Sequence, residues 1–166
     1  MKLNELKASI EGYKNLGGKI AGLETLMQTN KVELTRLAEG ADLENAAFLD
    51  KIGRLRVQAE LIPSRIAALE SDFETARVKL LAATEEFTEN TIQPKIKALR
   101  ATAAEDAKNQ LASTYSGNQL IHAVNSSDKI RFLDGIASGL NRDPEPSFPV
   151  DYALRRIAVL EQLSKI

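Results

Sequence analysis

Between residues 48 and 87, Phe48, Ile52, Leu55, Ala59, Ile62, Ile66, Leu69, Phe73, Ala76, Leu80, Ala83 and Phe87 follow one another at alternating steps of four and three. Apolar residues at that spacing keep to one stripe of an α-helix. Twelve such positions without a polar interruption demand a long helix closed against other helices. At ~1.5 Å per residue, a helix over 43–89 is a rod of roughly 70 Å. Val57, Leu61, Val78 and Leu81 lie off the stripe and widen it. A wider stripe suits a bundle with a third helix better than a bare two-stranded coil.

The first forty residues carry a partner for this seam. Leu16, Ile20, Leu23, Met27, Asn30, Leu34 and Leu37 keep the same steps, and Leu3, Leu6, Ile10 and Tyr13 precede them. The phase slips between Tyr13 and Leu16, beside Gly17-Gly18. Two adjacent glycines cost a helix on the order of 1 kcal/mol each, so a bend is expected at 17–18. The connection "LAEGADLEN" offers Gly40 as a left-handed helix stop and Asp42 as the next N-cap. So short a link makes the neighbours antiparallel, which predicts a helical hairpin of residues 2–39 against 43–89. With Gly40 as pivot, Asn30 falls opposite Asp50 and Lys51. A buried polar residue in such a seam fixes register at some cost in stability; the alternative is that Asn30 faces water.

Pro63 interrupts no phase, since Ile62 and Ile66 continue the stripe around it. A continuous helix with a bend at 63 fits this better than a chain reversal. The Gly40 pivot places Gly17-Gly18 level with Pro63, so the two helices are expected to bend together at one height.

The seam then jumps five residues, from Phe87 to Ile92, and Pro94 disfavours helix at the residue before it. Ile92, Ile96, Leu99, Ala103, Ala107 and Leu111 continue an apolar face, giving a third helix over 94–113. Folding back, it covers the end of the second helix; running straight on, it leaves that stripe bare. We expect it to fold back. From Tyr115 the chain changes character. "YSGNQ" and "VNSSD" are turn and cap sequences, with Ser126 or Ser127 placed to cap a short helix "DKIRFLDGIASGL". A proline-rich loop over 141–150 and a last helix near 151–165 follow. The organisation read from these breaks is a helical hairpin and bundle over 1–115 and a small helical module over 116–166.

Chemistry is sparse. Cysteine is absent, which removes thiolate nucleophiles, disulfides and cysteine metal sites and fits a cytoplasmic protein. The lone histidine, His122, sits in the apolar stretch "NQLIHAVN" and reads as a packed or half-buried side chain, without a nucleophile or orienting group beside it. One histidine cannot supply the paired Glu-x-x-His of a di-iron bundle, and Glu85, Glu86 and Glu89 read as a solvated charged face. No segment reaches the ~18 apolar residues of a membrane span, and no phosphate-binding glycine loop follows a strand. With 22 basic and 23 acidic residues the net charge is −1, which argues against a nucleic-acid wrapper. The third helix is locally basic, with Lys95, Lys97 and Arg100 near its start.

The fold expected is therefore all-α: an elongated antiparallel helical hairpin or coiled-coil rod, a third helix folding back, and a small C-terminal helical module. The function expected is non-enzymatic, with no cofactor, metal or small-molecule substrate. It is that of an adaptor, scaffold, assembly factor or inhibitor working through helix surfaces, with a protein partner that includes a second copy of itself. The seam residues Phe48, Ile52, Leu55, Ile62, Ile66, Leu69, Phe73, Leu80 and Phe87 are the interaction candidates. The runner-up is a helical subunit of a nucleoprotein complex touching phosphates through Lys95, Lys97 and Arg100.

Overall fold

A computed structural model describes residues 2–40, 45–140 and 147–166. The protein is all-α. In chain order the elements are α1 (Leu3–Glu39), α2 (Ala46–Phe87), a π-helical segment (Thr88–Ile92), α3 (Gln93–Leu111), α4 (Gly117–Asn125), α5 (Asp128–Leu140) and α6 (Pro149–Leu163). The chain divides into two compact units, one of Glu11–Val78 and one of Met1–Ile10 with Lys79–Ile166. The divisions fall inside α1 and α2, not at 115/116 as the sequence breaks suggested.

The Glu11–Val78 unit is the expected hairpin. Along α2 every seam residue is buried or half-buried, and the residues between them are exposed with few exceptions. The register differs from the one expected. Asn30 is buried, and its Nδ2 donates to Gln58 Oε1 at 2.9 Å. Lys51 instead pairs with Glu33 at 2.6 Å, while Tyr13 stacks on Phe73 with ring centroids 4.3 Å apart. These contacts set Leu16 beside Phe73 and Asn30 beside Ala59, moving the pivot about four residues beyond Gly40. Two errors in the expected turn explain the shift. Gly40 does not take the left-handed conformation, and α2 starts at Ala46, capped by Asn45, whose Oδ1 accepts from the N–H groups of Ala47 and Phe48 at 3.0 and 3.2 Å. Asp42, the expected cap, lies outside the described residues.

This register removes the shared bend. Leu26, not Gly17-Gly18, is level with Pro63, and the glycine pair lies about eight or nine residues away, ~12–13 Å along the axis. Helix α1 runs unbroken through the glycines and α2 unbroken through Pro63. Gly17 has a packing reason: a Cβ there would stand 3.3 Å from Phe73 Cε2, so its absence makes room for the ring. A Cβ on Gly18 meets nothing within 4 Å. Gly18→Ala is therefore expected to raise stability by ~0.5–1 kcal/mol, whereas Gly17→Ala should gain little or nothing because the ring must move. Paired chemical denaturation curves measure the difference.

The second unit is a helical bundle whose fully buried side chains include Leu6, Leu80, Phe87, Ile92, Ile130, Leu133 and Leu163. The third helix does not fold back. Backbone angles stay right-handed helical at Phe87, Ile92 and Gln93, and the Gln93 N–H reaches five residues back to the Thr88 carbonyl. The five-residue step in the sequence is this π turn. It absorbs one extra residue so that Phe87 and Ile92, both 0% exposed, share a face. α3 is then covered by α4 and α5, and α6 packs on the π segment. The turn-rich stretch after Tyr115 holds a helix, α4, that its turn chemistry concealed. It opens on extended Ser116 and on Gly117, whose φ of 53° suits a residue without Cβ. α5 matches the helix expected after Ser127, but the Ser127 hydroxyl is buried without a hydrogen-bond partner, so it does not act as the cap. The loop expected over 141–150 lies outside the described residues for 141–146, and Pro149 opens α6 as its first residue.

Candidate interaction faces

The expected site residues are spent inside the chain. Ile62, Ile66 and Leu69 are buried in the hairpin, Leu80 and Phe87 in the bundle, and Phe48, Ile52, Leu55 and Phe73 are half-buried. They close the fold and present little to a partner.

The exposed surface of the hairpin is unusual in its charge pattern. In a water-facing helix, charged residues occupy the side opposite the seam. Here the far side of α2 between 57 and 78 reads Val57, Leu61, Ser64, Ala68, Ser71, Thr75 and Val78, again at alternating steps of four and three, with no charge among them. All seven are exposed, with Val57 at 54%, Leu61 at 62% and Val78 at 56%. Two of its hydroxyls are turned inward to their own helix: Ser64 Oγ donates to the Leu61 carbonyl at 2.9 Å and Thr75 Oγ1 to the Ser71 carbonyl at 3.0 Å. That arrangement satisfies the polar atoms and leaves the Thr75 methyl facing out.

α1 repeats the pattern. Gly18, Ala21, Gly22, Thr25, Gln28, Thr29, Val32 and Thr35 form its far side without a charge, and Val32 is 69% exposed. Thr25, Thr29 and Thr35 each donate to the carbonyl four residues back, at 2.9–3.0 Å. Over the same stretch the charges are Lys19, Glu24, Lys31 and Glu33, which flank the seam. Glu33 is held below the ordinary carboxylate range by its hydrogen bonds from Lys51 and then Arg36. Over these stretches charge borders the closed seam and leaves the outer faces bare; within the hairpin the far side of α2 is charged only nearer its start, where Arg54 pairs with Asp50 at 2.8 Å.

Two of the three basic candidates are engaged within the chain. Lys95 Nζ donates to Ser164 Oγ at 2.7 Å, and Arg100 pairs with Asp134 at 2.8 Å, which raises its pKa through that hydrogen bond. Lys97 is exposed on α3. His122 is exposed on α4, 3.3 Å from Ser126 Oγ, and not packed as expected; Leu120, Ala123 and Val124 take the inner side of that helix.

One buried polar network exists in the bundle. Arg156, 5% exposed, donates to the Leu140 carbonyl at 3.0 Å and to the Tyr152 hydroxyl at 2.9 Å, and its guanidinium lies 4.7 Å from the centre of the Tyr152 ring. The Tyr152 hydroxyl in turn donates to Glu85 Oε1. Burial pushes the Tyr152 phenol above its ordinary value. The network ties the end of α2 to the C-terminus of α5 and to α6. Tyr152→Phe leaves both ionic partners short of a hydrogen bond and is expected to cost ~1–3 kcal/mol, read from denaturant midpoints. Among the described residues no group of three acidic or histidine side chains is placed to hold a metal ion, and no helix is long and apolar enough to cross a membrane.

No family model, no curated protein and no solved structure matches the chain.

Proposed function

We propose that this is a non-enzymatic interaction protein, an adaptor, scaffold or assembly factor of the cytoplasm, that works by docking the outer faces of its helical hairpin onto other helices. The observation that carries the reading is the charge-free far side of α2, where Val57, Leu61 and Val78 stand more than half exposed along a helix that already has a closed seam. A solvated helix surface has no use for such a stripe, whereas a surface awaiting another helix does. The lack of cysteine supports the compartment.

The test places charge in the face. Single surface substitutions away from structural features change stability by only about ±0.5 kcal/mol, so Leu61→Glu with Val78→Glu should keep the far-ultraviolet spectrum and melting temperature. In an extract of its native cells, the wild-type chain is expected to elute in an assembly larger than itself and the double variant to elute as the free chain. Identical elution of the two would remove the proposal.

A further inference from the structure

We infer that the occupant of the α2 outer face is the same face of a second copy of this chain, lying parallel and in register. This inference rests on the docking reading just given and names its partner.

The edges of the stripe carry unlike charge patterns. On one side of Val57–Val78 the bordering residues are Glu60, Ala67 and Glu74; on the other they are Gln58, Arg65 and Asp72. One edge is purely acidic and the other carries the cation. Two identical helices packed antiparallel bring like edges together: Glu60 would face Glu74 of the other copy, a like pair that offsets the opposite pair of Arg65 and Asp72 on the other edge. Packed parallel, unlike edges meet. A residue bordering one helix then faces the one five positions further along the other, which sets Glu60 against Arg65 of the second copy, twice by symmetry. Edge charges of this kind select partner and orientation in coiled helices, and opposing rather than like charges lie across the parallel interface.

Side-chain size agrees. In register, each layer of a parallel pair is a residue meeting its own counterpart: Val57, Leu61 and Val78 form apolar layers, and Ser64, Ala68, Ser71 and Thr75 form small ones. The inward-turned hydroxyls of Ser64 and Thr75 let their two layers close without orphaned donors, and in the Ser71 layer each hydroxyl meets that of its counterpart. Neither Glu60 nor Arg65 has an ion-pair partner among the described residues, while Glu74 on the same edge is already satisfied by Arg77 at 2.5 Å. Of the edge charges without an ion-pair partner among the described residues, Glu60, Arg65 and Asp72, the parallel register joins Glu60 to Arg65 and sets Asp72 against Ala67.

The experiment uses the full chain and charge reversal. Sedimentation equilibrium from about 5 to about 500 µM should show a concentration-dependent dimer. Glu60→Arg alone and Arg65→Glu alone each place like charges across both sides of the interface and should weaken association about tenfold or more. Mixed in equal amounts, the two variants should recover it. On one side of the mixed dimer the introduced arginine then meets the introduced glutamate, and on the other the native Glu60 meets the native Arg65. Orientation is read from Ser64→Cys in this cysteine-free chain: the parallel register brings the two thiols into one layer and gives a disulfide-linked dimer under mild oxidation. In an antiparallel pair centred on the stripe the two thiols would lie about two turns apart, ~10 Å along the axis, beyond the reach of a disulfide, and stay unlinked. Recovery on mixing together with the Ser64 link supports the inference. A monomeric wild type over the whole range, a dimer indifferent to both reversals, or a dimer without the Ser64 link overturns it. A monomer whose native assembly is still lost on Leu61→Glu with Val78→Glu overturns self-pairing alone and leaves the docking face standing.

Discussion

Phe87→Ala is expected to cost ~3–5 kcal/mol, the range for emptying a fully buried aromatic site. Phe87 is 0% exposed and is the last seam residue before the backbone widens into the π segment, so its ring fills the point where α2 becomes α3. Its neighbours are held by the backbone more tightly than in an ordinary helix turn. The Thr84 and Thr88 hydroxyls are buried and donate to the Leu80 and Thr84 carbonyls at 2.7 and 2.9 Å. A site fixed in this way collapses poorly around a cavity, which places the loss toward the upper end of the range. A fall in melting temperature on the order of 10 °C follows for a chain of this size. Differential scanning calorimetry measures it, and a fall of only a degree or two would show that Phe87 does not anchor the bundle.

Pro63→Ala is expected to act in the opposite direction, raising stability by ~1–3 kcal/mol. Proline inside a helix removes one backbone hydrogen bond and crowds the carbonyl four residues back, at about 3 kcal/mol. In α2 that penalty is met with no compensating role in packing, since Pro63 is exposed and the helix continues through it from Ile62 to Ile66, both buried. Alanine restores the donor and disturbs no core contact. The hairpin register leaves Pro63 opposite Leu26, away from the Gly17-Gly18 pair, so no matched bend in α1 depends on it. Denaturant midpoints of the two chains, at unchanged slope, give the sign directly. A destabilised Pro63→Ala would mean that the curvature it imposes is needed for the seam to close.

The parts of the fold that were legible in the sequence are those governed by side-chain periodicity. The twelve-position seam of α2 is buried or half-buried throughout, because a stripe of apolar residues has nowhere else to go. Ends and turns were legible only where one residue decided them. Asp42 is as good a cap as Asn45 by residue type, and the cap at Asn45, with no left-handed stop at Gly40, shifts the register enough to change the partners of Asn30, Lys51 and Pro63. The π segment was visible as a five-residue step, yet Pro94 beside it made a chain break the simpler reading. A helix that reaches five residues back at Thr88–Gln93 satisfies both signals without a break. α4 escaped because Ser116, Gly117 and Asn118 spell a turn, and nine residues are too few for periodicity to overrule them.

The interaction face was half legible. Val57, Leu61 and Val78 stand out in the sequence as apolar residues off the seam, which suits a stripe widened toward a third helix. The missing information was that α3 continues from α2 in place of folding back, and that all three stay exposed. The more telling signal, the absence of charge from the far side of α2 over 57–78 and of α1 over 18–35, is present in the letters but has meaning only once the seam's own face is fixed.

Cysteine accessibility in living native cells tests the docking face most directly, since the chain has no cysteine of its own. Single cysteines are placed in turn at Glu60, Leu61, Ser64, Arg65, Ala68 and Ser71, and their rates of alkylation are compared in cells and in dilute purified protein. The account predicts that Leu61, Ser64, Ala68 and Ser71 are protected in cells while all six react freely in the dilute chain, with the protected positions recurring at the steps of four and three. Equal, rapid labelling of all six positions in both settings would contradict it.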